Sequence, residues 1–201
     1  MHSVSSISEE EMTAVFLRCE LDSKRFGADL LDALEQQRLA LSIIESPDLS
    51  DDIENQQRRD LHGEVRGFQR NTSLFRMFPE EVQWSRVMLT EQELQGVLYT
   101  NYDYWVELSG GSRSPADAAK TIRRGVEIFN QPNEAFWSAA RALEEGKRFE
   151  DMILVTHDGK QLVVLEGHLR LTAFVLAQDG IPEELEAIVG QSSRMTAWPL
   201  Y

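Results

Sequence analysis

A short stretch near the C-terminus combines the residue types that phosphate binding needs. Glu166-Gly167-His168-Leu169-Arg170 follows the apolar run 162–165 and opens a segment with helical spacing. The first amides of a helix have no partner within the helix, so they can bind an anion. Gly167 allows close approach to the backbone, and Arg170, one turn into the helix, can reach back to the same anion. The pattern predicts a phosphate site at Gly167, His168 and Arg170.

Glu166 is the candidate for chemistry at this junction. Its carboxylate could accept a proton, hold a metal ion or orient a hydroxyl group. A purely structural interpretation stands beside this one, because a glycine before a helix is often only a turn. In that interpretation Arg170 pairs with Glu166, and His168 is a surface residue. Short motifs of this kind have many false positives, so the spacing alone leaves both interpretations open.

A second loop has the composition of an anion site. Gly110, Gly111, Ser112 and Arg113 precede Ser114-Pro115, a pair that favours the start of a helix. Backbone amides of a glycine turn, with an arginine beside them, can hold an anion. We therefore take Gly111, Ser112 and Arg113 as candidate phosphate ligands. The alternative is a helix C-cap followed by an N-cap, with Arg113 in solvent.

Aromatic residues cluster just before this loop, at Tyr99, Tyr102, Tyr104 and Trp105. Trp105 matches the helical spacing of a core residue, whereas Tyr102 and Tyr104 do not. One of these two tyrosines could line a pocket or stack on a base. For the cluster as a whole, core or interface packing is the competing interpretation.

The elements that must position these residues begin with a helical N-terminal region, which we predict over residues 1–78. Ser8 and Glu11 form a capping box. Apolar residues then recur at helical intervals, first at Met12, Val15, Phe16 and Cys19. Cys19 belongs to this apolar face, so we interpret it as a buried small hydrophobe and not as a nucleophile.

Residues 79–201 have a mixed pattern, so the predicted fold class is α/β (α+β). A strand-like run at 82–89 precedes one long predicted helix over 91–108. The Asp158-Gly159 step between the apolar runs 152–155 and 162–165 predicts a β-hairpin. The helix after Gly167 is expected to turn Leu169, Ala173 and Leu176 inward, and one or two short strands follow after residue 186.

The segment from Leu162 to Ala177 resembles the signature of the ParB/sulfiredoxin-like superfamily. The likeness is carried by the G-x-x-R step from Gly167 to Arg170 and the small Ala173, and it extends more loosely over residues 82–198. The resemblance implies a ParB/sulfiredoxin-like domain in which this turn holds a nucleotide or another phosphate.

Two branches of that superfamily do not fit. Sulfiredoxins have a cysteine in this turn, but here the only cysteine is Cys19. ParB partition proteins continue into a helix-turn-helix region, whereas the sequence after this signature is short. Neither sulfiredoxin chemistry nor DNA segregation is therefore expected.

The free serine kinase branch is the most similar in motif, with Glu166 before the glycine and His168 after it. It implies phosphoryl transfer from a nucleotide, with magnesium, to a small hydroxyl compound, and it uses carboxylates as base and metal ligand. That branch has a catalytic carboxylate after the first strand of the domain, where Glu91 and Glu93 stand. Glu93 is already explained by a second capping box with Thr90, so Glu91 is the candidate.

Composition limits the possible partners. The chain of 201 residues has 34 acidic and 20 basic side chains, a net charge of −14, which argues against nucleic-acid binding. The four histidines have no metal-ligand spacing, so no protein metal site is predicted. No apolar run approaches the roughly 20 residues of a membrane span, and no secretory signal is visible. We expect a cytoplasmic protein without a membrane partner.

Two functions from different classes remain. The first is an enzyme that transfers or hydrolyses a nucleotide phosphoryl group, with Glu166 or Glu91 as base or magnesium ligand. The second is a non-catalytic module that binds a protein partner through its N-terminal helices and has a vestigial or regulatory phosphate site.

Overall fold

The computed structural model describes residues 1–177 and 184–201 and confirms the α+β class. The strands are β1 (His2–Ser6), β2 (Gln83–Thr90), β3 (Met152–Thr156), β4 (Leu162–Glu166) and β5 (Glu184–Gln191). The helices are α1 (Glu9–Leu21), α2 (Gly27–Gln37), α3 (Ser42–Glu45), α4 (Asp52–Arg66), α5 (Glu91–Gln95), α6 (Asp103–Leu108), α7 (Pro115–Arg123), α8 (Glu134–Glu144) and α9 (His168–Leu176). Short 3-10 turns lie at Ser73–Phe75 and Met195–Ala197.

These strands form one mixed sheet in the order β1-β2-β5-β3-β4. Strands β3 and β5 are parallel, and the other neighbouring pairs are antiparallel. The antiparallel pairing of β3 with β4 confirms the predicted hairpin. Strand β4 leads directly into α9, so the sheet positions the candidate phosphate turn.

Both faces of the sheet are buried, which explains why β3 and β4 are continuous apolar runs. Side chains alternate along a strand, so each run supplies two cores. One face packs against α1 through Ile153, Val155, Val163, Leu165 and Ile188. The opposite face packs against α7, α8 and α9 through Met152, Leu154, Val164, Ala187 and Val189.

Helix α1 joins the N-terminal region to the sheet. Ser8 caps the helix by accepting a hydrogen bond from the Glu11 amide. The apolar side of α1 then packs in the same core as the sheet face that carries Ile153 and Val163. Its residues in this core are Met12, Val15, Phe16 and Cys19. At the rim of this contact, the Arg86 guanidinium on β2 binds Glu11 of α1 at 2.9 Å and Asp151 at 2.5 Å. The helical region and the sheet therefore share one core.

The single long helix predicted over residues 91–108 is wrong. Helix α5 ends at Gln95, and α6 begins only at Asp103. Between them the backbone of Leu98 runs beside β4: its amide donates to the Leu162 carbonyl, and its carbonyl accepts from the Val164 amide, both at 2.9 Å. The segment between α5 and α6 leaves the helical conformation because its backbone pairs with the edge strand β4. This pairing also satisfies backbone groups of β4 that a continuous helix would leave without partners.

Two further predictions need correction. Leu169 was expected on the inner side of its helix, but its side chain is 40% exposed, and Arg170 and Leu171 are buried instead. The first residues of the chain were included in the helical region, yet residues 2–6 form the edge strand β1. All five residues of β1 are exposed, so no apolar alternation marks this strand in the sequence.

Candidate functional site

Gly167 makes the turn from β4 into α9. Its φ of 109° lies in the left-handed region, which favours glycine. A Cβ added here would lie 2.8 Å from Met152 Cγ and 3.0 Å from Arg170 Nη2. The glycine is thus needed for protein packing in this structure, in addition to any close approach by a ligand.

The start of α9 offers unpaired amides. Leu171 donates to the Gly167 carbonyl at 2.8 Å, which closes the first helical turn. Among the residues that the structure describes, the amides of His168, Leu169 and Arg170 donate to no acceptor, and Gly167 has no side chain to cap them. Leu169 is 40% exposed, so this end of the helix lies at the protein surface, and unpaired amides there can bind an anion.

Arg170 is buried and already engaged. Its Nη1 and Nη2 atoms lie 3.2 and 3.3 Å from the Cys19 sulfur, and Nη2 lies 3.3 Å from Glu166 Oε1. The ion pair between Arg170 and Glu166 is the one that the purely structural interpretation predicts. The contact with Cys19 of α1 is additional. Any role of Arg170 in phosphate binding stays a prediction, since its guanidinium reaches toward α1 in this structure.

Cys19 is buried, as predicted. Burial raises the pKa of its thiol to about 12, even though the nearby Arg170 charge acts in the opposite direction. The thiol is therefore protonated at physiological pH and is a poor nucleophile. Its place in the site is to accept hydrogen bonds from Arg170.

His168 is a partly buried, neutral imidazole. Its Nε2 hydrogen-bonds with the Thr100 hydroxyl at 2.7 Å, and its ring stacks on Trp105 at 4.8 Å. Burial lowers the pKa of His168 to about 3, and the charges of Arg66, Arg170 and Arg25 act in the same direction. A neutral ring held in this way contributes no positive charge to phosphate binding, but its main-chain amide remains available.

Three further residues join the site without having been predicted: Glu20, Arg25 and Arg66. The Arg66 guanidinium forms an ion pair with Glu20 and lies 3.8 Å from the centre of the Phe26 ring. The Arg25 guanidinium lies over the same Phe26 ring, 5.1 Å from its centre. Arg25 is exposed and forms no ion pair among the described residues. The charges of both arginines of the N-terminal region lower the pKa of His168 at the start of α9.

Glu20 has the most unusual carboxyl group of this cluster. It is only 2% exposed. Burial raises its pKa to about 7, with Glu166 adding to the effect and Arg66 opposing it. Its position after Met12 and Phe16 at intervals of four residues was a usable signal, because an acidic residue there falls on the apolar face of a helix.

The second predicted loop is built around main-chain partners. Gly110 and Gly111 have φ values of 63° and 94°, as expected for a glycine turn. Arg113 donates from Nε to the Tyr99 carbonyl at 2.7 Å and from Nη1 to the Tyr201 main-chain oxygen at 2.8 Å. The Ser112 hydroxyl donates to the Ser109 carbonyl at 3.0 Å.

This loop contacts the site at α9 indirectly, through residues 99 and 100. Within residues 1–177 and 184–201, Arg113 makes no hydrogen bond or ion pair to Gly167, His168 or Arg170, but it donates to the Tyr99 carbonyl, and the neighbouring Thr100 hydroxyl hydrogen-bonds with His168. The interpretation as a C-cap followed by an N-cap fits the observed hydrogen bonds, although Arg113 is half-buried and not in free solvent.

Glu91 also lies away from the junction. It is exposed at the start of α5, where its Oε1 accepts a hydrogen bond from Gln95 at 2.9 Å. Strand β2, which precedes it, is separated from β4 by β5 and β3. Three strand spacings amount to about 14 Å, so Glu91 and Glu166 do not share one reacting centre in this structure.

The chain offers limited means to hold a metal ion. Over the described ranges, no group of three or more His, Cys, Asp or Glu side chains is arranged as a metal site. Glu20 and Glu166 are near enough for one to raise the pKa of the other, but each has an arginine partner. A magnesium ion would therefore depend on phosphate oxygens for most of its ligands.

No helix in the described part of the chain is both long and apolar enough to cross a membrane. No protein-family model, curated protein or solved structure matches this sequence. The function must therefore be argued from the site itself.

Proposed function

We propose that this protein binds a phosphate-bearing small molecule, a nucleotide, at the start of α9. The phosphate lies against the amides of His168, Leu169 and Arg170, and Arg25 closes over it from the N-terminal region. The observation that carries this proposal is the set of unpaired amides at the start of α9. It is supported by the exposed Arg25, which has no ion pair among the described residues and whose charge acts on His168. The resemblance of residues 162–177 to the ParB/sulfiredoxin-like signature supports the same ligand.

Local charge supports an anion here in a chain whose net charge is −14. Three guanidinium groups act on the His168 ring, from Arg25, Arg66 and Arg170. Three carboxyl groups act against them: Glu20 and Glu166, which pair with Arg66 and Arg170, and Glu150, whose charge also acts on Arg170. Burial favours the protonated form of Glu20. The start of α9 adds the positive end of a helix dipole.

Binding without turnover is the better-supported form of this function. Glu166, the predicted base, is held by Arg170, and Glu91 lies at the start of α5, after a strand that β5 and β3 separate from β4. Both predicted catalytic carboxylates are thus occupied or misplaced for a reaction at α9. The non-catalytic module, with a regulatory nucleotide site between the N-terminal helices and the sheet domain, accommodates these positions.

A phosphotransferase or nucleotide hydrolase is the second candidate, and one observation favours it. A carboxyl group with a pKa of about 7, as in Glu20, is suited to act as a general base near neutral pH. The enzyme interpretation then requires Glu20 in place of Glu91. Phosphate release from ATP or CTP that is lost in Glu20→Gln and retained in Glu91→Gln supports this candidate.

A thermal-shift series with ATP, ADP and CTP, each with and without magnesium, tests the binding site. Ligand at 100 times its dissociation constant should stabilise the protein by about 2.7 kcal/mol. Arg25→Ala should reduce the shift, and because Arg25 is exposed the variant should fold normally. Arg76→Ala removes another exposed arginine, which is not among the charges that act on His168, and is the matched control.

The proposal fails if no nucleotide shifts the midpoint, or if Arg25→Ala and Arg76→Ala respond alike. Turnover assays on the same samples separate the two candidates, since a non-catalytic module shows binding without phosphate release.

A further inference from the structure

A groove lined with aromatic rings and one carboxylate lies beside α6, and the proposed nucleotide site does not use it. Its volume is about 360 Å³. The residues that line it are Asn101, Tyr102, Asp103, Tyr104, Phe129 and Leu200. They come from three separate parts of the chain, so the groove exists only in the folded protein.

Phe129 is held in this wall by an unusual turn. Its φ is 50° and that of Asn130 is 57°, so both central residues are left-handed. The turn is closed by a hydrogen bond from the Gln131 amide to the Ile128 carbonyl at 2.9 Å. A bulky residue rarely adopts this backbone conformation, and yet the Phe129 side chain is 62% exposed. Strain and exposure together favour a role in binding over a role in folding.

The opposite wall is formed at the start of α6. Tyr102 is 49% exposed, whereas Tyr104 is fixed to the core through its edge-on contact with Trp105 at 4.9 Å. Asp103 stands between them and is exposed. Its side chain makes no hydrogen bond or ion pair to any other residue that the structure describes. The groove therefore combines aromatic faces with a carboxylate that forms no ion pair within the described part of the chain.

We infer that this groove binds an arginine side chain presented by a basic segment of a partner protein. A guanidinium group stacks on aromatic rings and pairs with a carboxylate through two parallel hydrogen bonds, which matches the two kinds of wall. The net charge of −14 steers basic partners toward the molecule. The Asp103 carboxylate also disfavours an anionic ligand at this position.

Titration of the 201-residue chain with the peptide acetyl-Gly-Arg-Gly-amide, followed by amide chemical shifts, tests the inference. Saturable shifts are expected at residues 101–104 and 128–130. The same peptide with citrulline in place of arginine has nearly the same shape without the charge, and it should bind at least about fivefold more weakly. Asp103→Asn should weaken binding of the arginine peptide by a similar factor.

Phe129→Asn provides a second variant, because asparagine tolerates the left-handed backbone while removing the ring. It should also lower the affinity, whereas Leu31→Ala, which truncates an exposed apolar side chain outside the groove, should not. The inference is overturned if the arginine peptide does not bind or if the citrulline peptide binds equally well. Unchanged affinity in Asp103→Asn overturns it as well, whatever the fate of Phe129→Asn.

Discussion

The residues at the start of α9 owe their arrangement to neighbours that are distant in sequence. Arg170 contacts Cys19 of α1, and Gly167 leaves room for both Arg170 and Met152. Glu20 and Arg66 pair beside them and come from two different helices. A substitution in this cluster therefore affects contacts between distant parts of the sequence, which a local motif does not reveal.

Gly167→Ala should destabilise the protein by about 3 kcal/mol, because it combines a left-handed backbone with a steric clash. Gly146→Ala is the matched control: its φ is 84°, but nothing lies within 4 Å of an added Cβ. The control should lose only about 1 kcal/mol. Urea unfolding of the three proteins gives both values, and equal losses would show that packing around Gly167 is unimportant.

Glu20→Gln should flatten the dependence of stability on pH. The pKa of Glu20 is raised in the folded state, so its contribution is fully present below about pH 4.5 and is lost as the pH rises through about 7. The free energy of unfolding of the wild type should fall by about 2 kcal/mol from this group between pH 5 and pH 8. Denaturant titrations at both values should show a smaller fall in Glu20→Gln.

Glu107→Gln, at an exposed position, is the control for that experiment and should keep the wild-type profile. A profile that is the same in Glu20→Gln and the wild type would mean that Glu20 is ionised throughout this range by its pairing with Arg66.

At the level of elements, helix α4 contributes a histidine to an apolar box. The His62 ring lies 4.2 Å from the ring of Phe16, 4.4 Å from that of Phe68 and 5.0 Å from that of Phe75. Neither ring nitrogen of His62 has a hydrogen-bond partner among the described residues. This box joins α1 and α4 to the 3-10 turn at Ser73–Phe75. Protonation of His62 would therefore affect how the N-terminal elements pack.

His62→Phe should make the protein less sensitive to acid. Burial lowers the pKa of His62 well below its usual value, with the Arg66 charge acting in the same direction. Its contribution to stability is present above about pH 6.5 and is lost as the pH falls. The loss of stability between pH 7 and pH 5 should be smaller in His62→Phe, as measured by urea unfolding.

His157→Phe is a useful comparison, because His157 lies outside this box, in the hairpin loop. An acid response that disappears in both variants would point to a global cause and not to the buried imidazole of His62.

The whole molecule is organised around a sheet whose two faces are covered by different parts of the chain. Residues before Pro79, together with Met195 and Trp198, cover the face with Ile153 and Val163, and α7, α8 and α9 cover the other. Without the N-terminal helices, that first face would be exposed to water. An apolar surface of this kind promotes aggregation.

We therefore expect the chain to unfold in a single cooperative transition. Far-UV circular dichroism reports helices throughout the chain, and fluorescence reports Trp84 and Trp198 on one face and Trp105 and Trp137 on the other. The midpoints of the two signals should coincide in thermal or urea unfolding. Two separated transitions would show that residues 1–78 and 79–201 are independent domains.

Several features of this protein follow from sequence patterns alone. The apolar runs at 152–155 and 162–165, with Asp158-Gly159 between them, determine a hairpin because no other local structure satisfies both runs so well. The N-cap at Ser8 and the capping box at Thr90 start helices where predicted. The turn at Gly167 was located as well, since a glycine between a buried strand and a helical pattern has few other uses.

Contacts between residues that are far apart in the sequence were decided only by the tertiary structure. Leu98 lies beside β4 because that edge has unpaired backbone groups, and this contact breaks a helix that spacing alone predicts. Arg170 turns to Cys19, more than a hundred residues away in sequence, because α1 covers that face of the sheet. The charges of Arg25 and Arg66 act on His168 because the N-terminal region packs on the sheet, and no periodicity within a segment encodes such an interaction.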